Sequence, residues 1–187
     1  MKKLWIIIAK LFGWQCDTLP EDWHRVSQHA VLIMAPHTSI YDFFTGAACT
    51  WNYDLNARIF MKKEFFNFLT RPFLHHFGVV PVDRGNVHNG LVEKAVEELK
   101  HNEKLTIIIT PEGTRKAVKR WKRGFYEIAV QANVPIICSY IDYKEKKMGY
   151  KGIFYPTGDY AKDLPQIQAF YKGVAARHPE KFILDIN

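Results

Sequence analysis

Two kinds of apolar stretch alternate along the chain. Ala30 to Ala35 (AVLIMA) and Thr106 to Thr110 (TIIIT) are short and almost continuously apolar, the pattern of strands buried on both faces. Val79 to Val82 is short and β-branched, Val134 to Tyr140 (VPIICSY) fits a strand opened by a proline, and Arg58 to Met61 is a weaker strand. Between them, Ile40 to Trp51, Glu64 to Phe77, Val87 to His101 and Gly124 to Asn133 read as helices, and Leu164 to Arg177 is another near the end. The Val87 to His101 stretch is the clearest, because Leu91, Ala95, Val96 and Leu99 recur at helical spacing. Strands alternating with helices predict an α/β fold with a largely parallel central sheet flanked by helices. No repeat, low-complexity tract or linker interrupts residues 1–187, so a single domain is expected, with the motif-bearing core over 30–140.

The first residues, Met1 to Trp14, follow a different pattern. The uninterrupted apolar run from Leu4 to Ala9 is six residues long, against the ~20 a membrane-spanning helix needs. Lys10 breaks it, which also argues against a signal peptide. On a helical wheel Leu4, Ile7, Ile8 and Leu11 share a face, with Trp5 and Phe12 beside it, while Lys3 and Lys10 share another. Such a helix lies in a membrane interface or packs on the core.

Composition sharpens the surface picture. Twenty-six Lys and Arg against nineteen acids give a net charge of +7, and aromatic residues make up 14%. A basic surface interleaved with Trp and Phe suits anionic lipid at least as well as nucleic acid. Cys16, Cys49 and Cys138 have the spacing of neither a disulfide framework nor a zinc site.

Three short stretches carry candidate chemistry. In Met34-Ala35-Pro36-His37-Thr38-Ser39-Ile40-Tyr41-Asp42 a histidine follows a predicted buried strand, with an aspartate five positions on. On one continuous helix the two would point about 140° apart. They meet if His37 stays in the loop and Asp42 enters the first helical turn, with Ser39 as the cap and Ser39-x-x-Asp42 as a capping box. A carboxylate on one imidazole nitrogen then leaves the other as a general base, whose natural target is a hydroxyl. Taken alone, the same residues more simply describe a helix cap and a buried loop histidine. In Gly78-Val79-Val80-Pro81-Val82-Asp83-Arg84-Gly85, Arg84 follows a strand end, where it suits a phosphate or carboxylate or an ion pair with Asp83 or Glu112. In Thr110-Pro111-Glu112-Gly113-Thr114-Arg115, Gly113 permits close approach, Thr114 and Arg115 add donors, and Glu112 either orients Arg84 or accepts from a substrate hydroxyl.

Taken together, the stretches resemble the glycerolipid acyltransferases, whose best-known members acylate lysophosphatidic acid. The resemblance rests on His37-x4-Asp42, Gly78-x5-Arg84, Glu112-Gly113-Thr114-Arg115 and Val134-Pro135-Ile136, in that order. It implies His37 as base, Asp42 as its orienting group, and Arg84, Glu112, Gly113, Thr114 and Arg115 around the acceptor. It implies an acyl-coenzyme A or acyl carrier protein co-substrate, attacked without an acyl-enzyme, no metal and no further cofactor. The absence of a Gly-x-Ser-x-Gly elbow agrees. The acceptor is expected to be a lysolipid, 1-acylglycerol-3-phosphate first and a lyso-aminolipid second. The expected location is peripheral, on the cytoplasmic face of a membrane, with no nucleic-acid partner. A non-catalytic basic membrane-binding module is the competing reading. Residues 141–187 match no block of the pattern. Ile141 to Met148 reads as a charged hairpin, and the Phe-rich Met61 to Phe77 segment as an acyl-chain wall, a bilayer contact or a core helix.

Overall fold

A computed structural model describes residues 2–82 and 90–184. Seven strands build one sheet in the order β1 (Gln15–Cys16), β7 (Lys147–Phe154), β6 (Ile136–Asp142), β2 (Ala30–Ala35), β5 (Thr106–Ile109), β3 (Ala57–Lys62), β4 (Val79–Val82). Every pairing is parallel except β6 with β7, which form an antiparallel hairpin. The α/β expectation holds, and the predicted strands form within two residues of their expected ends.

The sheet is buried on both sides because its central strands are apolar on both faces. Val31, Ile33 and Ala35 of β2 join one core with α5 (Leu91–His101), α6 (Gly124–Ala132) and α7 (Tyr160–Ala169). Ala30, Leu32 and Met34 join the opposite core with α3 (Tyr41–Asn52). Helix α2 (Glu21–Ser27) adds Trp23 and Val26 to that side, and α1 (Lys2–Leu11) adds Ala9. Helix α4 (Arg71–His76) brings Leu74 to a third cluster with Phe77, Val79 and Ala47. At Gly46 helix α3 lies directly against the Met34 thioether, which a Cβ there would push aside.

Two helix expectations fail for local reasons. Glu64 to Phe77 is no single helix. A 3₁₀ turn spans Lys63–Phe65, and α4 starts only at Arg71. Asn67 Oδ1 accepts the Leu69 and Thr70 N–H groups, and the Thr70 hydroxyl donates to the Phe65 carbonyl. Such side-chain bonds compete with the helical ladder, and Pro72 is tolerated because it lies in the first turn of α4. His75 and His76 point apart as expected, toward Phe66 and Trp51. At the other end, α7 starts at Tyr160 because Asp159 caps it through the Lys162 N–H, and it stops at Ala169. Gly173, at φ +78°, then turns the chain back over the sheet end. The expected helix over 164–177 is therefore displaced. The start of the expected Val87 to His101 helix lies outside the described residues, and α5 begins at Leu91.

The Cys16 thiol, distant in sequence, lies beside that of Cys49 on α3. Helix α1 packs on α3 through Trp5, which stacks on Phe44 and touches Phe77. Leu4, Ile7, Leu11 and Phe12 remain exposed, so the helix serves the core with one face and leaves an apolar face outside.

Gly78, the first residue of the arginine block, has φ +71°, and a Cβ there would collide with the Ala57 carbonyl of β3. Gly78→Ala should destabilise the fold by about 2 kcal/mol. In a chain of this size that lowers Tm by roughly 4–8 °C, readable by differential scanning calorimetry.

Candidate active site

The parallel strands β2, β5, β3 and β4 end on the same edge of the sheet, where the loops of an α/β fold gather. Strand β2 delivers Pro36 and His37 to that edge, and α3 opens four residues later with Asp42 in its first turn. The Asp42 carboxylate is 1% exposed and saturated with donors. Its Oδ2 accepts the Thr38 and Ser39 N–H groups, both at 2.8 Å, and lies 3.2 Å from His37 Nδ1. Its Oδ1 accepts the Tyr143 hydroxyl at 2.7 Å. Burial by itself would raise its pKa, but the bonds from His37, Tyr143 and Ser39 outweigh it and hold the carboxyl below the usual carboxylate range. Ser39 Oγ in turn accepts the Tyr41 N–H at 3.2 Å. Half of the expected capping box forms, since Asp42 accepts the Ser39 N–H but the Ser39 hydroxyl serves Tyr41, and Ile40 rather than Ser39 occupies the cap position.

Behind the histidine sits Glu112. Its Oε1 accepts the His37 backbone N–H at 2.9 Å, and its Oε2 is buried without a partner among the described residues. Burial pushes its carboxyl up to about 7, with the hydrogen bonds from its own N–H and from His37 offsetting only part. Through that bond Glu112 supports the loop that carries the histidine. Arg84, the expected partner of Glu112, lies outside the described residues.

His37 and Asp42 open onto a cavity of ≈ 490 Å³. Thr110, Gly113, Thr114, Arg115 and Lys122 complete its polar side, and Met34, Phe43, Ala47, Ile59, Met61, Phe65 and Ile108 give it apolar walls. Gly113, at φ +64°, lets the Lys122 chain lie against the backbone, where any Cβ would collide. One region therefore holds an imidazole with Nδ1 committed to a carboxylate, two cations and apolar walls. Such a site can deprotonate a hydroxyl, bind an anionic group and shelter an alkyl chain.

Residues 17–142 match the model of the Acyltransferase family. The chain belongs to the glycerolipid acyltransferases, which include those acting on lysophosphatidic acid. It is an enzyme that transfers acyl groups to lipid-like acceptors. No curated protein matches the chain. The match takes in every block on which the resemblance rests. In this acyltransferase, His37, Asp42, Gly113, Thr114 and Arg115 line the cavity, and Glu112 stands behind it.

Two side chains at the site escaped the sequence reading. Lys122 had a signal, the basic run Lys116 to Arg123, but nothing told which cation turns inward. Tyr143 had none, since it lies 101 residues from its partner Asp42.

The raised Glu112 carboxyl carries a pH signature. Between the ordinary value of 4.5 and about 7 it binds a proton in the folded chain but not in the unfolded one. Its contribution to stability is complete below pH 4.5 and lost as pH rises through 7. Glu112→Gln should remove this loss, an effect reaching about 2–3 kcal/mol. Melting curves of the two proteins should therefore diverge as pH rises from 5 to about 8, with the variant more stable on the alkaline side.

Proposed function

We propose that the enzyme moves a fatty-acyl chain from acyl-coenzyme A or acyl carrier protein to a hydroxyl of a lysolipid, 1-acylglycerol-3-phosphate being the best fit. The observation that carries this reading is the His37–Asp42 pair at the mouth of a cavity with apolar walls and a cationic rim. In the reaction, His37 Nε2 takes the acceptor's hydroxyl proton as the oxygen attacks the thioester carbon. The tetrahedral intermediate collapses, the carbon–sulfur bond breaks, and the imidazolium returns the proton to the leaving thiolate. Asp42 fixes the tautomer and stabilises the imidazolium. Arg115 and Lys122 suit an acceptor phosphate, and Arg84 takes the same part on sequence grounds. The apolar walls suit an acyl chain.

Because such acceptors reside in bilayers, the enzyme works at a membrane surface, on the cytoplasmic face. No described helix is long and apolar enough to cross one. The exposed side chains of α1 and, beyond the cavity-lining Phe65, Phe68 and Leu69 are suited to shallow insertion. Phe44 joins their supports, touching Trp5 on one side and Phe73 on the other.

A mass-spectrometric screen of lysolipid acceptors against acyl-coenzyme A and acyl carrier protein tests the reading. His37→Ala should fold and lose about 10²–10⁴-fold in turnover. Asp42→Asn should lose more in rate than in stability. Arg115→Ala should mainly raise the KM of a phosphate-bearing acceptor. A folded His37→Ala protein at wild-type rate would remove the base.

Vesicle co-sedimentation tests the membrane contact. Replacing Leu4, Ile7 and Leu11 with Ser leaves the Trp5 packing intact. It should weaken binding to anionic vesicles and leave activity on a short-chain soluble acceptor unchanged. Binding should also fall with salt.

A further inference from the structure

The family match ends at residue 142, and the chain beyond it returns to the histidine loop. Tyr143 follows β6 directly. Its hydroxyl donates to Asp42 Oδ1 at 2.7 Å, the carboxylate oxygen that no other hydrogen bond engages among the described residues. Its ring stands edge-on to Trp14 at 5.0 Å, and its N–H donates to the Ala175 carbonyl at 2.8 Å. The segment after α7 holds this arrangement from outside. Asp142 Oδ2 accepts the Ala175 N–H, and the His178 N–H donates to Thr38 Oγ1. Between those two anchors the Arg177 guanidinium lies 4.0 Å above the Tyr41 ring and 5.7 Å from the Tyr143 ring, within reach of the Tyr143 hydroxyl. Two elements distant in sequence thus converge on the second oxygen of Asp42.

We infer that Tyr143 is a positioning residue for the His37–Asp42 pair, latched in place by Arg177 of the C-terminal segment. The inference rests on the proposed roles of His37 and Asp42. The Thr38 and Ser39 N–H groups hold Oδ2 in position, but one oxygen alone leaves the carboxylate plane free to rotate. The Tyr143 bond fixes that plane, and with it the line along which Oδ2 meets Nδ1. It also draws charge toward Oδ1. Arg177 strengthens the effect, because a cation beside a phenol makes it the better donor. The other titratable groups facing the carboxylate are His37 itself and Glu112, behind the loop.

The consequences are specific. Without the phenol, more negative charge remains at Oδ2, which favours the imidazolium. The acidic limb of the pH profile of kcat/KM should then move to higher pH. The lost alignment should lower kcat by roughly tenfold, about the worth of one hydrogen bond to a charged group. Acceptor KM should hardly change, since Tyr143 does not line the cavity.

The test compares wild type, Tyr143→Phe, Arg177→Gln and His37→Gln with palmitoyl-coenzyme A and lysophosphatidic acid, together with proton NMR of the His37 Nδ1–H, assigned by its loss in His37→Gln. The expected result is a lower kcat, a raised acidic limb and a shifted Nδ1–H resonance in Tyr143→Phe. A weaker change in the same direction is expected in Arg177→Gln, whose side chain is exposed and packs in neither core. If Tyr143→Phe fails to fold, Arg177→Gln carries the comparison alone. A merely structural tyrosine would lower Tm and leave the pH limb and the Nδ1–H resonance in place, which overturns the inference while an inactive His37→Gln keeps the general-base reading. An active His37→Gln would overturn both.

Discussion

Strand β2 has no side chain that faces water, and the arrangement of the molecule follows from satisfying it on both sides. Its backbone pairs with β5 on one edge and β6 on the other, and its two faces seed the two cores. A strand in that position cannot slide, because a shift of one residue would exchange the sets of side chains entering each core. Its C-terminal end is therefore among the best-determined points in the chain. His37 stands two residues past it, and Asp42 follows beside it in the first turn of α3.

At that end burial pushes two carboxyls the same way, and the number of donors each receives sends them in opposite directions. Asp42 receives four donors, and they outweigh its burial, so it stays ionised. Glu112 receives far fewer, burial wins, and its carboxyl titrates near neutrality. The contrast assigns different work to each. The ionised group can face an imidazolium, and the second braces the backbone of the histidine loop while adding little further negative charge.

The C-terminal quarter completes what the family-matched region begins. Asp142 ties the β6–β7 turn through the Lys144 and Glu145 N–H groups and holds the returning segment through Ala175. Tyr171 reaches through the core to the Ile33 carbonyl, anchoring that segment to β2 itself. Residues that match no motif thus brace the histidine loop and Asp42 from outside the cavity.

What the sequence determined by itself is what short-range physics controls. Alternating apolar runs dictated the strands, helical spacing dictated α5, and the turn between His37 and Asp42 dictated a contact that needs only six consecutive residues. The order of the four blocks along the chain was enough to recognise the family. What only the tertiary structure decided is every partnership across the sheet: Glu112 with the His37 backbone, Tyr143 with Asp42, Lys122 against Gly113, Cys16 with Cys49. The broken helix around Asn67 stands between the two cases, since its cause is local but rests on side-chain bonds that periodicity does not register. The physical reason is the same throughout. A hydrogen bond between near neighbours depends on backbone geometry that spacing encodes, whereas a bond spanning a hundred residues depends on strand order, and strand order is set by burying both faces of one sheet at once.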